Sequence, residues 1–227
     1  MEYRCVATSV EGFVQQLAVA YITHGYWFYV AGEIPEGKDL AVVDAKLIKR
    51  YGIAISKWAR CRRKKQGLAN MQYLRHGRFF VLLATKGRHA FFERERASFR
   101  DVRRVPIKFA GYSIGCRTGR DGQWHASVRI DPGTYADLKA FIVEAGIGSS
   151  VENLTNHFVR TRLQPYAPVR GQLLSVWRTL NRARRTAGLE GFPVECVPSQ
   201  RRLLQPFRPF AGRLDTLATT DGIAGAP

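Results

Sequence analysis

No aspartate or glutamate occurs between Ala45 and Phe92, a span that holds thirteen lysines and arginines. A second acid-free span runs from Asn153 to Leu189 and carries Arg160, Arg162, Arg170, Arg178, Arg182, Arg184 and Arg185. An ordinary solvated surface mixes the two signs, so these absences set both spans apart. Cysteine is scarce: Cys5, Cys61, Cys116 and Cys196 stand far apart. No pair has the close spacing of a zinc knuckle or a redox motif, and reduced, mostly buried thiols of a cytoplasmic protein are expected. No apolar run approaches the roughly 18 residues of a spanning helix. The opening MEYRCVATSVEGF lacks the basic and apolar regions of a secretion signal. Walker loops, G-x-S-x-G, H-E-x-x-H and G-x-G-x-x-G are all missing. No two histidines form a His-x-His pair. No helix-turn-helix, zinc-finger or basic-zipper pattern stands out, and HGRFFVLL matches the RNP1 pattern of RNA-recognition domains only at Gly77, Phe80 and Val81.

What is present is positive charge on a foldable chain. The 227 residues include 36 Lys and Arg against 18 Asp and Glu, a net charge of +18, and 45% are hydrophobic. That hydrophobic share supports a packed core in one large domain or a domain with appendages. The charge surplus repels itself unless a polyanion neutralises it, and nucleic acid is the commonest one. A membrane partner is not expected, because no amphipathic stretch combines length with clustered surface aromatics. The charge is also unevenly spread. Residues 1–44 hold six acids (Glu2, Glu11, Glu33, Glu36, Asp39, Asp44) and two bases (Arg4, Lys38), a net of −4 that leaves +22 for the rest.

The periodicity predicts an α+β fold. Tyr3 to Thr8 reads as a strand, followed by a helix capped by Ser9 with Val10, Phe13, Val14, Leu17 and Tyr21 on one face. YWFYVAGEI reads as a second strand, which completes a βαβ unit. Its alternation puts Tyr26, Phe28 and Val30 on one face and Trp27 and Tyr29 on the other. Helices are predicted over Leu40–Tyr51 and Ile55–Gln66, the latter resting on Ile55, Trp58 and Ala59. Met71–Leu74 and Arg78–Thr85 form a hairpin about His76-Gly77. Pro106–Arg117 and Trp124–Asp131 form another. These elements amount to a mostly antiparallel sheet of about six strands over residues 1–131. Three helices follow over 132–192, packed on the sheet or forming a small second domain. In the first, Tyr135, Leu138, Phe141, Ile142 and Ala145 make the buried stripe. A proline-rich irregular tail spans 193–227, with its last residues frayed.

Two basic surfaces are predicted as the binding site. In the helix from Val169, an apolar arc of Val169, Leu173, Val176, Trp177 and Leu180 opposes Arg170, Arg178, Arg182 and Arg185. Arginine suits phosphate because its fork is bidentate and weakly hydrated. Lys57, Arg60, Arg62, Arg63, Lys64 and Lys65 crowd the helix from Ile55, where mutual repulsion needs an outside anion to relieve it. The hairpin adds Tyr73, Arg75 and Arg78. Aromatic residues on the sheet serve either as covered core or as base-stacking platforms. The expected partner is nucleic acid, structured RNA in preference to DNA, within a ribonucleoprotein that includes other proteins. No cofactor is expected on this reading. The alternatives are a Mg²⁺-dependent nuclease or transposase-like enzyme and an assembly protein with an acidic protein partner. The enzyme would use the acidic cluster from Glu33 to Asp44, with Glu33, Asp44 and Lys46 as its catalytic residues. It requires Asp44 on a strand, whereas Leu40, Val43, Leu47 and Tyr51 recur at helical spacing.

Overall fold

The computed structural model describes residues 3–160, 163–201 and 203–207. Arg162 and the part of the expected tail beyond 207 lie outside the described residues. The fold is α+β. Ser9 caps α1 (Val10–Gln15) by accepting the Gly12 N–H at 3.0 Å. The helix continues as a π-helical segment (Gln16–Tyr21) and a 3₁₀ turn (Ile22–His24). Phe13, Val14, Leu17 and Tyr21 are buried along it, as their spacing predicts. After β1 (Tyr26–Glu33) come α2 (Leu40–Arg50) and α3 (Lys57–Lys65). β2 (Met71–His76) and β3 (Phe79–Thr85) make the predicted hairpin, with His76 opposite Phe79. A short α4 (Ala90–Arg94) leads to a two-residue edge strand, β4 (Arg100–Asp101).

These strands form one antiparallel sheet in the order β2-β3-β1-β4. The opening segment, predicted as a strand, makes a single parallel bridge from Val6 to Arg75 at the β2 edge. The Arg75 N–H donates to Cys5 O at 2.8 Å, and the Ala7 N–H donates to Arg75 O at 2.7 Å. β1 and β2 both oppose β3, so each runs parallel to this opening segment. The βαβ crossover therefore exists with β2 and β3 lying between its two arms.

The remaining strands, β5 (Ile107–Phe109), β6 (Tyr112–Thr118) and β7 (Trp124–Ile130), form a second antiparallel sheet. The single six-stranded sheet predicted from the sequence is thus two sheets. The run from Pro106 to Arg117 folds back at Ala110 and Gly111, whose φ values of 46° and 79° suit a two-residue hairpin turn.

The last helices are α5 (Pro132–Gly148), α6 (Val151–Arg160) and α7 (Ala167–Thr186). The Gln172 side chain of α7 accepts from the Ile130 N–H at 2.8 Å and donates to its carbonyl at 3.1 Å, fixing α7 beside the end of β7. Gly146 lets α5 close on α7, for a Cβ there would stand 2.0 Å from Leu180 Cδ1. Ile142 of the predicted α5 stripe is buried, but Phe141 is 49% exposed. Residues of α1, both sheets and α5–α7 share one hydrophobic core, so these helices pack on the sheets. The irregular segment from Pro193 returns to α1. Gln15 exchanges two hydrogen bonds with the Leu204 backbone, at 2.7 and 3.1 Å.

Both faces of the first sheet are covered. Tyr29, Leu74, Val81 and Leu83 join the main core, while Met71, Tyr73, Leu82 and Ala84 join a second cluster with Tyr51 and Phe91. Trp27 and Tyr29 face the main core while Phe28 and Val30 pack on the second cluster, as the alternation predicts, but a register shift between Tyr26 and Phe28 turns Tyr26 to the main core as well.

At the centre of that second face lies a buried ion pair. Arg75 donates to Asp44 through Nε at 2.9 and 3.1 Å and through Nη2 at 2.8 Å. The Tyr73 hydroxyl donates to the same carboxylate at 2.6 Å. Burial raises the Tyr73 pKa above its ordinary value, and the bond to Asp44 raises it further. Removing one partner strands the other as a buried charge. Asp44→Ala should therefore cost about 3–5 kcal/mol of unfolding free energy in a urea titration. A loss below about 1 kcal/mol would show that the pair is dispensable to the fold.

Candidate nucleic-acid interface

α3 has an unusual construction: none of its nine residues is buried. Ser56 caps it by accepting the Ala59 N–H at 3.2 Å. Its attachment to the body is polar. Arg60 Nη2 donates to Ile53 O at 3.3 Å, and Arg63 donates to Ala69 O through Nε at 3.3 Å and Nη2 at 2.9 Å. Asn70 Nδ2 donates to Arg60 O at 3.0 Å. Ala59, Arg60 and Arg63 thus define the inward side of the helix. The outward side carries Lys57, Trp58, Cys61, Arg62, Lys64 and Lys65, all exposed. Trp58 is 78% exposed, so it is not the anchor its position suggested. At 100° per residue it lies between Lys65 and Arg62.

More positive charge adjoins this helix. A parallel bridge between Leu68 and Arg88 brings exposed Lys86 and Arg88 beside its C-terminal end. Arg94 donates to Arg50 O at 3.3 Å, joining α4 to the end of α2. Glu95 accepts a short hydrogen bond from the Tyr51 hydroxyl. Burial, with that bond added, pushes the Tyr51 pKa up to about 12. His89 accepts the Phe91 N–H, and burial together with the Arg63 charge lowers its pKa, so it stays neutral at pH 7.

α7 follows the predicted pattern. Val169, Leu173, Val176 and Leu180 are buried, Trp177 is half-buried, and Arg170, Arg178, Arg182 and Arg185 are exposed on the opposite arc. Arg184 turns inward instead. It donates to the carbonyls of Gly146, Ser149 and Glu190, which satisfies the end of α5.

Eight of the predicted contact residues therefore face outward: Lys57, Arg62, Lys64, Lys65, Arg170, Arg178, Arg182 and Arg185. Five are turned to internal work. Tyr73 and Arg75 are buried against Asp44, and Arg60 and Arg63 hold α3. Arg78 Nη1 donates to Ile34 O at 3.1 Å and Pro35 O at 2.6 Å, which pins the chain leaving β1. The proposed catalytic residues do not converge. Asp44 lies on a helix and spends its oxygens on Arg75 and Tyr73. Lys46 stands about 200° around that helix from Asp44 and is exposed, as is Glu33 at the end of β1. Among the described residues, no three His, Cys, Asp or Glu side chains gather as a metal site.

No family model, curated protein or solved structure matches the chain.

The feature missed in the sequence is the exposure of Trp58. One signal was available: Ser56 can cap the helix, which leaves Ile55 outside it and Trp58 with no large apolar residue at helical spacing within it. Cys61, expected with the buried thiols, is exposed on the same side. Since Trp58 packs little surface, Trp58→Ala should change unfolding free energy by no more than about 0.5 kcal/mol. A loss of about 3–5 kcal/mol would restore it as a core anchor.

Proposed function

We propose that the protein binds nucleic acid, RNA in preference to DNA, through the outer faces of α3 and α7. The observation that carries this reading is Trp58, an exposed indole among Lys57, Arg62 and Lys65 on a helix without an acidic residue. Cations supply phosphate contacts and counterion release. An exposed ring supplies a stacking surface for a base, which any base can use. Stacking needs a base already out of its helix, and loops and single strands of folded RNA offer these most readily. The arginine face of α7 adds forks that fit phosphate bidentately. The protein would then serve as a ribonucleoprotein component. The exposed thiol of Cys61 suits a reducing, cytoplasmic setting.

Binding to a looped RNA, followed by fluorescence anisotropy over a salt series, tests this. The logarithm of the affinity should fall linearly with that of salt concentration. Trp58→Ala should weaken binding by about 1–3 kcal/mol without altering the salt slope. Arg62→Glu with Lys65→Glu, and Arg178→Glu with Arg182→Glu, should each weaken binding and flatten the slope. A wild-type affinity indifferent to salt would sink the proposal, and a Trp58→Ala variant that binds as well as wild type would remove stacking from it.

A further inference from the structure

The second sheet has a face that the core does not use. Tyr112, Ile114, Val128 and Ile130 point into the core. Strand alternation places Ser113, Gly115 and Arg117 of β6, with His125, Ser127 and Arg129 of β7, on the other side. The register stacks these as three cross-strand pairs: Ser113 with Arg129, Gly115 with Ser127, and Arg117 with His125. The two arginines therefore sit on opposite strands, at either end of a floor made by Gly115 and Ser127. Gly115 contributes no side chain, and the Val102 carbonyl and Pro106 close its flank, each 3.3 Å from where a Cβ would stand.

Two polar atoms here lack a hydrogen-bond partner among the described residues. Ser127 is only 7% exposed, and its Oγ has no hydrogen-bond partner among the described residues. The same holds for Arg129 Nε, which is buried without a partner. Burial lowers the Arg129 pKa and the nearby Arg117 charge lowers it further, so the two guanidiniums sense each other. Asp121 pairs with His125 at 2.9 Å. Asp131 lies 3.0 Å from Lys108 Nζ, although its buried Oδ1 makes no hydrogen bond among the described residues. Neither Arg117 nor Arg129 has an ion pair among the described residues. Two arginines flanking an unpaired hydroxyl on one sheet face is a costly arrangement unless an anion completes it.

We propose that Arg117, Arg129 and Ser127 form an oxyanion site on this outer face, built to take one phosphate group. The two guanidiniums supply charge-assisted donors and Ser127 supplies a hydroxyl donor from the floor. The group is either the terminal phosphate of a nucleotide or polynucleotide or an internal phosphodiester. No residue of α3 or α7 takes part, so the site is testable even if the nucleic-acid reading fails.

Inorganic phosphate is the decisive probe. Thermal unfolding of the full chain is measured in phosphate and in chloride at matched ionic strength. Wild type should melt higher in phosphate. Arg117→Gln and Arg129→Gln should each bind phosphate roughly tenfold or more weakly and lose most of that gain. Ser127→Ala separates ligand binding from folding. It removes a hydroxyl that bonds nothing among the described residues, so its melting in chloride should match or exceed wild type while its gain in phosphate shrinks. No gain in wild type, or an equal gain in wild type and all three variants, overturns the site. With the site established, oligonucleotides bearing a 5′-phosphate or a 5′-hydroxyl identify the source. A preference for the former that Arg129→Gln abolishes assigns a terminal phosphate. Equal weakening of both assigns an internal one.

Discussion

Arg75 joins parts of the chain that are distant in sequence. Its backbone pairs with Cys5 and Ala7, which fixes the opening segment to the edge of β2. Its side chain grips Asp44 on α2, and its Nη1 donates to Gly77 O at 2.6 Å to brace the hairpin turn. Asp44 is the one buried residue of α2. The helix is therefore clamped to the sheet by a carboxylate, with half-buried Leu47 and Ile48 packed around it. A buried charge is tolerable only when its lone pairs are met, and here Tyr73 and the Nε–Nη2 edge of the guanidinium meet them. The net energy of such a pair is modest compared with an apolar replacement. Its contribution is positional: it fixes α2 against the edge strand β2.

The same economy extends over this side of the molecule. α3 is attached by Arg60 and Arg63, the exit of β1 by Arg78, and the end of α5 by Arg184. Each of these arginines donates to a backbone carbonyl. A carbonyl satisfies the donors but does not cancel the charge. Among the described residues, only Arg75, Arg103 and Lys108 pair with an aspartate among the lysines and arginines. Arginines used as internal brackets thus leave the +18 surplus almost untouched. Self-repulsion persists in the folded state, and binding a polyanion relieves it.

Features that repeat along the chain were legible, and features that depend on a single residue were not. The arcs of α7 followed from helical spacing because aliphatic residues dominate its inward arc and arginines its outward one, with buried Asn181 and Arg184 the exceptions. The hairpin at Gly77 and the helix cap at Ser9 were written in local chemistry. The split of Pro106–Arg117 into two strands turned on Ala110 and Gly111, and an alanine at positive φ gives no compositional signal. One register shift at the start of β1 parted Tyr26 from the face of Phe28 and Val30, since the side-chain period of a strand is two. Polar anchoring of α3 was invisible for a similar reason. Pattern analysis counts tryptophan as a core residue and arginine as a surface one, and here Trp58 faces solvent while Arg60 and Arg63 face in.

Part of the charge on α3 has a purely structural account. Arg62, Lys64 and Lys65 occupy its last turn, where cations stabilise the negative end of the helix dipole by about 0.3–1 kcal/mol each. Helix stability alone would keep them there. The first turn is different. Lys57 sits directly after the cap, at the positive end of the dipole, where a cation is disfavoured and an aspartate or glutamate would help. Trp58 beside it exposes a large apolar ring and is a middling helix former. Neither residue serves the helix, and neither serves the core. A ligand that offers phosphate to Lys57 and an aromatic face to Trp58 accounts for both at once. The first turn of α3, more than its basic run, is therefore what separates a binding surface from a well-capped helix.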